Sequence, residues 1–343
     1  GFLFAENVIV SSVTIEGLDF VGQSVLVDLT AFNPGTEITF KGGAGNETFI
    51  VPNLQAGTLS LDGGAGSDTF IIVGRDGVTA SPTGAVDGGD GDDTLITVGT
   101  VDISGLNLIG FENLISQAGS PAVVTLTAEQ LKGFVSFLGN GETELNAVNG
   151  DAGIAPRKEI SLVSKVIKGV KTLDIGEDVT VTLSFSQAAD LAVIERQSEG
   201  QDLEGRLNVE VNGTIEINED LAFIGDVDQF SGTGTPKIDI KSGVTLTLTS
   251  AQVDSLSGES IPVIGAGTVK IVGNISETDD FSALSGAERV VSVLIENAVT
   301  IAQIGKIDAG RGDLTGITYS ISDDGETEFA GVDQAVLNDA QAI

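Results

Sequence analysis

The chain has 343 residues with 50 acidic and 16 basic side chains, which gives a formal net charge of −34 at pH 7. This charge argues against binding to nucleic acid and against insertion at anionic membrane surfaces, because both require basic contacts. The sequence has no Cys and no His, which excludes histidine-based triads, cysteine nucleophiles and ordinary zinc sites, and its 41% hydrophobic content argues against disorder.

Further absences narrow the classes of function. The sequence has no Trp and a single Tyr, Tyr319, which argues against an aromatic platform for sugars or exposed bases. No run of 18 apolar residues occurs, so no membrane-spanning helix is predicted. The first residue is Gly1, and no basic segment of a signal peptide follows it. We therefore expect a processed product or a piece of a longer chain.

The first forty residues have the alternation of β-strands. Apolar and polar residues alternate from Val8 to Ile15 and again from Val25 to Leu29, and residues 33–35 (Asn-Pro-Gly) favour a turn. These segments predict the first coils of a solenoid. The apolar segment 2–4 (Phe-Leu-Phe) has two interpretations: a cap over the N-terminal face of the core, or an arm that adds a strand to a neighbouring subunit.

One short motif is repeated three times between residues 41 and 97. The copies read GGAGNETFI at 42–50, GGAGSDTFI at 63–71 and GGDGDDTLI at 88–96. Glycine in the first, second and fourth places permits positive φ and a sharp turn, with carbonyl oxygens pointing inward. An acidic residue in the sixth place ends each turn, and an apolar strand follows at once. The alternative interpretation is a tight, solvated turn of a β-solenoid without a ligand.

Carboxylate and carbonyl oxygens are the ligands that Ca²⁺ prefers, and six to eight of them are needed. Because one turn does not supply that many, an ion is expected between two stacked turns, so that three turns form at most two sites. The candidate ligand positions are Gly43, Gly45, Glu47, Asp62, Gly64, Gly66, Asp68, Asp87, Gly89, Gly91 and Asp93.

The three copies resemble the hemolysin-type (RTX) calcium-binding repeats of secreted bacterial proteins. The resemblance implies a parallel β-roll with bound Ca²⁺. The chain departs from that family because its copies start 21 and 25 residues apart instead of nine, which predicts one motif per coil and a single row of turns. It also departs at Glu47, where the pattern has Asp, and at Lys41, where the other copies have Asp62 and Asp87.

The glycine motif is lost after the third copy. Residues 101–114 keep the strand alternation without the glycine turn, so the calcium row is predicted to end near residue 96. A second repeat follows, in which a Thr/Val strand leads into Ser/Thr-x-x-Gln, the capping box of a new helix. The Gln residues are 57, 65 and 51 residues apart. Short helices are predicted near 127–138, 184–194, 249–256 and 300–306, the first with Leu131, Phe134 and Leu138 on its apolar face.

The predicted fold class is all-β: a parallel β-roll or β-solenoid with calcium-binding turns over residues 1–118, then about four β-rich repeat units with short helices over 119–343. Together with the acidic, Gly- and Thr-rich composition, these repeats resemble RTX-containing bacterial surface-layer proteins and large surface adhesins. That resemblance implies export to the cell exterior, usually by type I secretion.

An enzyme is not predicted. Among fifty acidic residues some pair of neighbouring carboxylates is expected by chance, so such a pair does not indicate a glycoside hydrolase. A β-helix polysaccharide lyase would use Ca²⁺ and a basic residue, for which Arg75 is the candidate; its alternative role is a solvated loop residue. Asp279 and Asp280 are expected in an exposed turn, with calcium at a subunit contact as the alternative.

The leading functional hypothesis is a secreted structural protein that self-assembles into a surface layer or extracellular filament, with Ca²⁺ rigidifying the subunit. The alternative is a fragment of a large adhesin, for which cell-surface polysaccharide is a candidate partner. A third hypothesis, an ice- or mineral-binding solenoid, requires a flat regular row of Thr, and the widely spaced VTLT segments do not predict one.

Overall fold

The computed structural model is mostly β, a parallel β-solenoid of about nine turns with few short helices. It therefore confirms the predicted fold class. The structure describes residues 12–15, 25–28, 37–52, 58–74, 82–117, 122–149, 157–191, 193–196, 206–222, 227–276, 278–285, 292–295 and 317–318. The segment 2–4, Arg75 and the predicted helix at 300–306 lie outside these residues.

The strands are short, with four long exceptions. They are β1 Ser12–Ile15, β2 Val25–Asp28, β3 Glu37–Lys41, β4 Glu47–Pro52, β5 Thr58–Asp62, β6 Thr69–Val73, β7 Thr83–Asp87, β8 Thr94–Val98, β9 Val101–Asp102, β10 Leu106–Ile109, β11 Asn113–Gln117, β12 Ala122–Thr127, β13 Ser136–Val148, β14 Lys158–Ser161, β15 Val166–Ile175, β16 Val179–Ser184, β17 Val193–Arg196, β18 Arg206–Ile217, β19 Leu221–Ala222, β20 Gln229–Ile240, β21 Thr245–Thr249, β22 Val263–Gly265, β23 Thr268–Val272, β24 Ser292–Ile295 and β25 Ile317–Thr318. The helices are α1 Ala128–Gly133, α2 Phe185–Asp190 and α3 Ser250–Gly258, with a 3₁₀ turn at Ser282–Leu284.

The chain divides into two compact units. The first comprises Gly1–Val181 with Leu191–Arg206, and the second comprises Thr182–Asp190 with Leu207–Ile343. The predicted change of repeat type near residue 118 falls within the first unit and stays a prediction.

Two parallel sheets build the first unit. One has the strand order β1-β3-β5-β7-β10, and the other runs from β2 through β4, β6, β8, β11, β13 and β15 to β17. Each coil from β3 to β8 thus contributes one strand to each sheet, and a glycine motif connects the two strands. This arrangement confirms one motif per coil and a single row of turns. Strands β1 and β2 pair in parallel with β3 and β4, as expected for the first coils.

Stacked Phe side chains fill the interior of this unit. Phe49 and Phe70 are in register on β4 and β6, and their rings stack with centroids 4.4 Å apart. Phe40 packs edge-on against Phe49 at 4.7 Å, and Phe111 packs edge-on against Phe70 at 5.3 Å. Because these rings are almost completely buried, the coils are held together by a continuous apolar column as well as by strand hydrogen bonds.

The outer side of the sheet that contains β4, β6, β8 and β11 carries regular rows, because side chains at every second position face outward and the strands are in register. We call Ile50, Ile71, Ile96 and Ile115 the isoleucine row, and Thr48, Thr69, Thr94 and Asn113 the threonine row. Val73, Val98 and Gln117 form a third row. The structure thus places a Thr row where the sequence did not predict one, since its members come from the glycine motifs and not from the VTLT segments.

The capping boxes are confirmed in the three described helices. At α1, Gln130 N–H donates to Thr127 Oγ1 at 3.1 Å, and Thr127 N–H donates to Gln130 Oε1 at 2.6 Å. The same reciprocal pair joins Ser184 with Gln187 and Thr249 with Gln252. Helices α1 and α2 are shorter than predicted, whereas α3 extends two residues beyond the predicted end, to Gly258.

Helix α1 ends at Gly133, so the prediction that Leu138 belongs to it was wrong. Leu138 lies instead in β13, a long strand whose first part pairs with β11 and whose second part pairs with β12. A register shift between Leu138 and Thr143 separates the two parts. The helical spacing of the apolar residues was coincidental, because Phe134 ends the helix in an extended conformation with ψ 147°.

The second unit repeats the two-sheet plan. Strands β18, β20 and β22 form one parallel series, and β19, β21, β23, β24 and β25 form the other. Helix α3 caps this unit with buried Val253 and Leu256. Across the described residues, no helix combines the length and apolar character needed to cross a bilayer.

Candidate functional site

The three glycine turns stack directly on one another. Ala65 N–H donates to Gly43 O at 2.8 Å, and Asp90 N–H donates to Gly64 O at 2.8 Å. Gly66 N–H also donates to Asp90 O at 2.8 Å. The hydrogen-bonding pattern of the sheets therefore continues through the turns, which fixes the distance between successive motifs at one strand spacing.

Glycine is required here for two different reasons. Gly64 has φ 95°, a left-handed conformation that a side chain would strain, as predicted for the second place. At the first place the reason is close approach: a methyl group on Gly63 would lie 2.3 Å from Gly88 O and 2.4 Å from Asp68 Oδ2. The first glycine of each motif thus leaves room for the carboxylate that ends the same motif.

The sixth-place acids form a buried ladder. Glu47, Asp68 and Asp93 are 1%, 1% and 0% exposed. Glu47 N–H donates to Asp68 Oδ1 at 2.6 Å, and Asp68 N–H donates to Asp93 Oδ1 at 2.6 Å. Each Asp therefore uses one carboxylate oxygen to accept the backbone N–H of the preceding acid. We call Glu47, Asp68 and Asp93 the carboxylate ladder.

The other oxygens of the ladder lack partners. Asp68 Oδ2, Asp93 Oδ2 and both carboxylate oxygens of Glu47 are buried without a hydrogen-bond partner. A buried anionic oxygen without a partner is costly, because it has lost its hydration and gained nothing in return. These orphaned oxygens are the observation that points to a cation.

Burial raises the pKa of Asp68 to about 6, and the negative charge of Glu47 adds to the rise. Burial likewise raises the pKa of Asp93 to about 6, with a further contribution from the charge of Asp68. The pKa of Glu47 is also raised by burial, while the nearby Gly43 N–H offsets part of the effect. Asp68 and Asp93 thus carry negative charge at neutral pH, and each has one carboxylate oxygen without a partner.

The ladder has a fourth member that the sequence did not predict. Asp93 N–H donates to Glu112 Oε2 at 2.7 Å, so Glu112 continues the series beyond residue 96. The end of the calcium row near residue 96 stays a prediction, but the series of carboxylates that accept a backbone N–H continues to Glu112. A signal was present: Glu112 stands two residues before buried Leu114, as Asp93 stands two residues before buried Leu95. The correspondence between Glu112 and Asp93 was not recognised in the sequence, because the segment before Glu112 lacks the glycine motif and the two acids are only 19 residues apart.

Asp62 and Asp87, two further predicted ligands, lie outside the ladder. They are in register on β5 and β7, in a partly exposed row that begins at Lys41 on β3. Lys41 Nζ lies 3.5 Å from Asp62 Oδ2, and Asp87 Oδ1 accepts Gly89 N–H at 3.1 Å. The substitution of Lys for Asp in the first copy therefore supplies a counter-charge to its neighbour in the next coil.

The donor set meets the chemistry of Ca²⁺ in part. Adjacent coils each supply a buried carboxylate with an unpartnered oxygen, and the glycine turns supply backbone carbonyl oxygens. The carbonyls of Gly43 and Gly64 point along the stack and accept hydrogen bonds, so the prediction that they point inward was wrong for these two. Within the described part of the chain, no three acidic side chains converge as a cluster that could hold a metal by side chains alone. An ion here would draw on backbone oxygens as well.

The remaining acidic candidates have structural roles. Asp279 Oδ2 accepts Ser276 N–H at 2.8 Å and also the hydroxyl of Ser250. Asp280 Oδ1 accepts Ser282 N–H at 2.8 Å. Both carboxylates therefore stabilise the turn that leads into the 3₁₀ segment, in agreement with the expectation of an exposed turn.

Comparison with known proteins identified no family and no homologue of the chain. No protein-family model, no curated protein and no solved structure matches it.

Proposed function

We propose that this chain is a secreted structural protein whose β-solenoid is stabilised by Ca²⁺ and which self-assembles into a surface layer or an extracellular filament. One observation carries the proposal: the carboxylate ladder, which ends the stacked glycine turns, is buried, and four of its oxygens have no hydrogen-bond partner. A structure with this feature needs a neutralising partner in order to be stable near neutral pH.

A divalent cation with a preference for oxygen ligands supplies that neutralisation. Asp68 and Asp93 would hold the ion by side chain, Glu47 would contribute to a second ion, and the fourth-place glycines would contribute carbonyl oxygens. Bound Ca²⁺ supplies no reaction in this proposal. Its effect is to replace repulsion between neighbouring carboxylates by attraction to a shared charge.

Self-assembly is supported by the architecture and by the charge. A stack of parallel coils offers the same surfaces at regular intervals, so contacts between copies repeat along an assembly. A net charge of −34 opposes such contacts, and cation binding reduces that opposition. Assembly and calcium binding are therefore expected to be coupled, which suits a protein that meets millimolar Ca²⁺ outside the cell.

The test is a thermal melt of the purified chain with Ca²⁺ and with chelator, while light scattering follows the assembly state. Extracellular calcium modules bind at roughly 0.1 to 1 mM, so a site of about 0.1 mM in about 10 mM Ca²⁺ stabilises by about 2.7 kcal/mol. We expect chelation to lower the melting temperature by several degrees and to dissolve large assemblies.

The matched comparison uses two double variants. Asp68→Asn with Asp93→Asn removes the ladder charges while an amide oxygen still accepts the backbone N–H. Glu129→Gln with Glu159→Gln removes two exposed acids elsewhere in the first unit. The ladder variant should lose the calcium-dependent shift and the control should keep it. If both variants respond to Ca²⁺ as the wild-type chain does, the glycine turns do not form a calcium site.

A further inference from the structure

The outer face formed by the threonine, isoleucine and third rows is unusual for so acidic a chain. Across β4, β6, β8 and β11, none of the outward side chains that the structure describes is charged. The first charged side chain in line with the isoleucine row toward the C-terminal coils is Lys168 on β15, in register with Leu138. We call this surface the uncharged face.

The opposite sheet of the same coils provides the contrast. Its outward positions include Glu37, Lys41, Asp62 and Asp87, and Ser60 is exposed among them. Both sheets use similar strands and the same coils, so the difference in charge is not a general property of the fold. Within these coils, the uncharged outer surface belongs to one of the two sheets.

We infer that the uncharged face is the surface through which a second copy of this chain docks face to face. Because the chain carries a net charge of −34, an equally acidic copy meets less repulsion at this face than at the acidic outward positions of the opposite sheet. The inference rests on the proposed self-assembly and names the surface responsible for it.

The regular spacing of the rows also favours a second copy. Neighbouring strands are about 4.8 Å apart, so Ile side chains follow one another at that interval along the row. An identical face has an identical interval, and its Ile side chains fit between the Ile and Thr side chains of the first over the whole length of the contact. Two sheets packed in this way lie about 10 Å apart.

The area indicates how strong this contact is. Four strands with five residues each cover about 300 Å² per copy, which makes about 600 Å² for the pair against the 1,200 Å² or more of a stable dimer. Val166 on β15, 43% exposed and in register with Ser136, extends the face modestly. The isolated pair is therefore weak, and we expect it to form only at high protein concentration.

Like-charge repulsion favours one orientation of the pair. The acidic glycine turns lie at the end of the face next to the threonine row, with Asp90 and Asp92 exposed. When the strands of two copies run in opposite directions, these turns lie at opposite ends of the contact. We therefore expect an antiparallel, two-fold symmetric pair.

The experiment compares charge insertions on the two sheets by sedimentation velocity in Ca²⁺. Ile71→Lys and Ile96→Lys each place a charge in the isoleucine row, while Ser60→Lys places the same charge on the opposite sheet. Over about 1 µM to about 1 mM, the Ile variants should associate at least tenfold more weakly than the wild-type chain, and Ser60→Lys less than twofold more weakly. Circular dichroism in the same buffer checks that each variant is folded.

A second measurement avoids variants that perturb folding. The chain has no Cys, so Ile96→Cys and Ser60→Cys each introduce a unique thiol of modest size. A bis-maleimide that spans about 10 Å, the distance between packed sheets, should link Ile96→Cys chains into dimers and leave Ser60→Cys chains unlinked.

The outcomes of these experiments distinguish failure of this inference from failure of the proposed function. If the wild-type chain assembles and the Ile→Lys variants assemble equally well, the uncharged face is not the contact, while the proposed function stands. If the wild-type chain stays monomeric with Ca²⁺ at every concentration, both the proposed function and this inference fail. A monomeric chain that adsorbs to ice or to insoluble polysaccharide through this face would likewise overturn docking of a second copy.

Discussion

At the scale of single residues, the most informative feature is that the two carboxylate oxygens of each ladder Asp have different environments. In Asp68 and Asp93, Oδ1 accepts a backbone N–H from the preceding motif, and Oδ2 has no partner. The first oxygen aligns the coils, and the second carries the unsatisfied charge. One residue type in one position thus serves both the register of the solenoid and the proposed cation site.

The raised pKa values predict how stability depends on pH when Ca²⁺ is chelated. Because burial raises the pKa of Asp68 and of Asp93 from 3.8 to about 6, the folded chain binds more protons than the unfolded chain between those values. The free energy of unfolding should therefore fall as the pH rises from about 4 to about 6, by an amount on the order of 2 to 3 kcal/mol for each group.

Denaturant unfolding at several pH values measures this slope. The other carboxylates titrate in the same range, so the quantity of interest is the difference between the wild-type chain and the Asp68→Asn, Asp93→Asn double variant. In saturating Ca²⁺, the two chains should differ less in the pH dependence of their free energy of unfolding, because the cation competes with protons for the same oxygens. If the free energy of unfolding of the two chains depends equally on pH in chelator, the ladder does not contain buried carboxylates without a counter-charge.

At the scale of elements, the short helices are held by more than their capping boxes. Gln130 Nε2 donates to Ile103 O at 2.8 Å and to Leu106 O at 2.7 Å, in addition to the reciprocal bonds with Thr127. The side chain thereby ties α1 to the connection between β9 and β10. A six-residue helix is too short to be stable alone, so this attachment keeps it on the solenoid.

Gln130→Ala is therefore expected to be costly. The substitution removes the cap and leaves two carbonyl oxygens without their side-chain donor, for a loss of about 2 to 4 kcal/mol in the free energy of unfolding. Lys132→Ala in the same helix loses only an exposed ion pair with Glu129 and should change stability by less than about 0.5 kcal/mol. Urea denaturation of the two variants checks the comparison, and similar losses would show that the attachment is unimportant.

At the scale of the whole molecule, two kinds of negative charge must be distinguished. Most of the net charge of −34 belongs to solvated side chains, which salt screens effectively. The ladder charges are buried, so salt screens them much less. The calcium hypothesis requires that the buried ladder charges, and not the solvated ones, limit the stability of the fold near neutral pH.

Monovalent salt and Ca²⁺ should therefore act differently. Adding about 0.5 M NaCl should raise the melting temperature of the wild-type chain and of the Asp68→Asn, Asp93→Asn variant alike, since it screens the exposed acids in both. Low millimolar Ca²⁺ at constant ionic strength should raise it in the wild-type chain alone. Differential scanning calorimetry measures both effects; equal stabilisation of both chains by Ca²⁺ would mean that it acts by general screening.

Local patterns were sufficient for much of this structure. The glycine turns, the strands that follow them and the capping boxes were predicted correctly, because each depends on residues within a few positions of one another. The spacing of the motifs also predicted one turn per coil, since about twenty residues are needed for two strands and two connections.

Other features were decided only by the tertiary structure, because they depend on the register between coils. Glu112 joins the ladder although its segment lacks the glycines, since β11 stacks on β8 in the same register as β8 on β6. The isoleucine row arises for the same reason: its four members lie 19 to 25 residues apart in the sequence and one strand apart in space. The connections between strands differ in length, so that row members at unequal separations in the sequence still align in space. The rows can therefore be recognised only from the stacked coils.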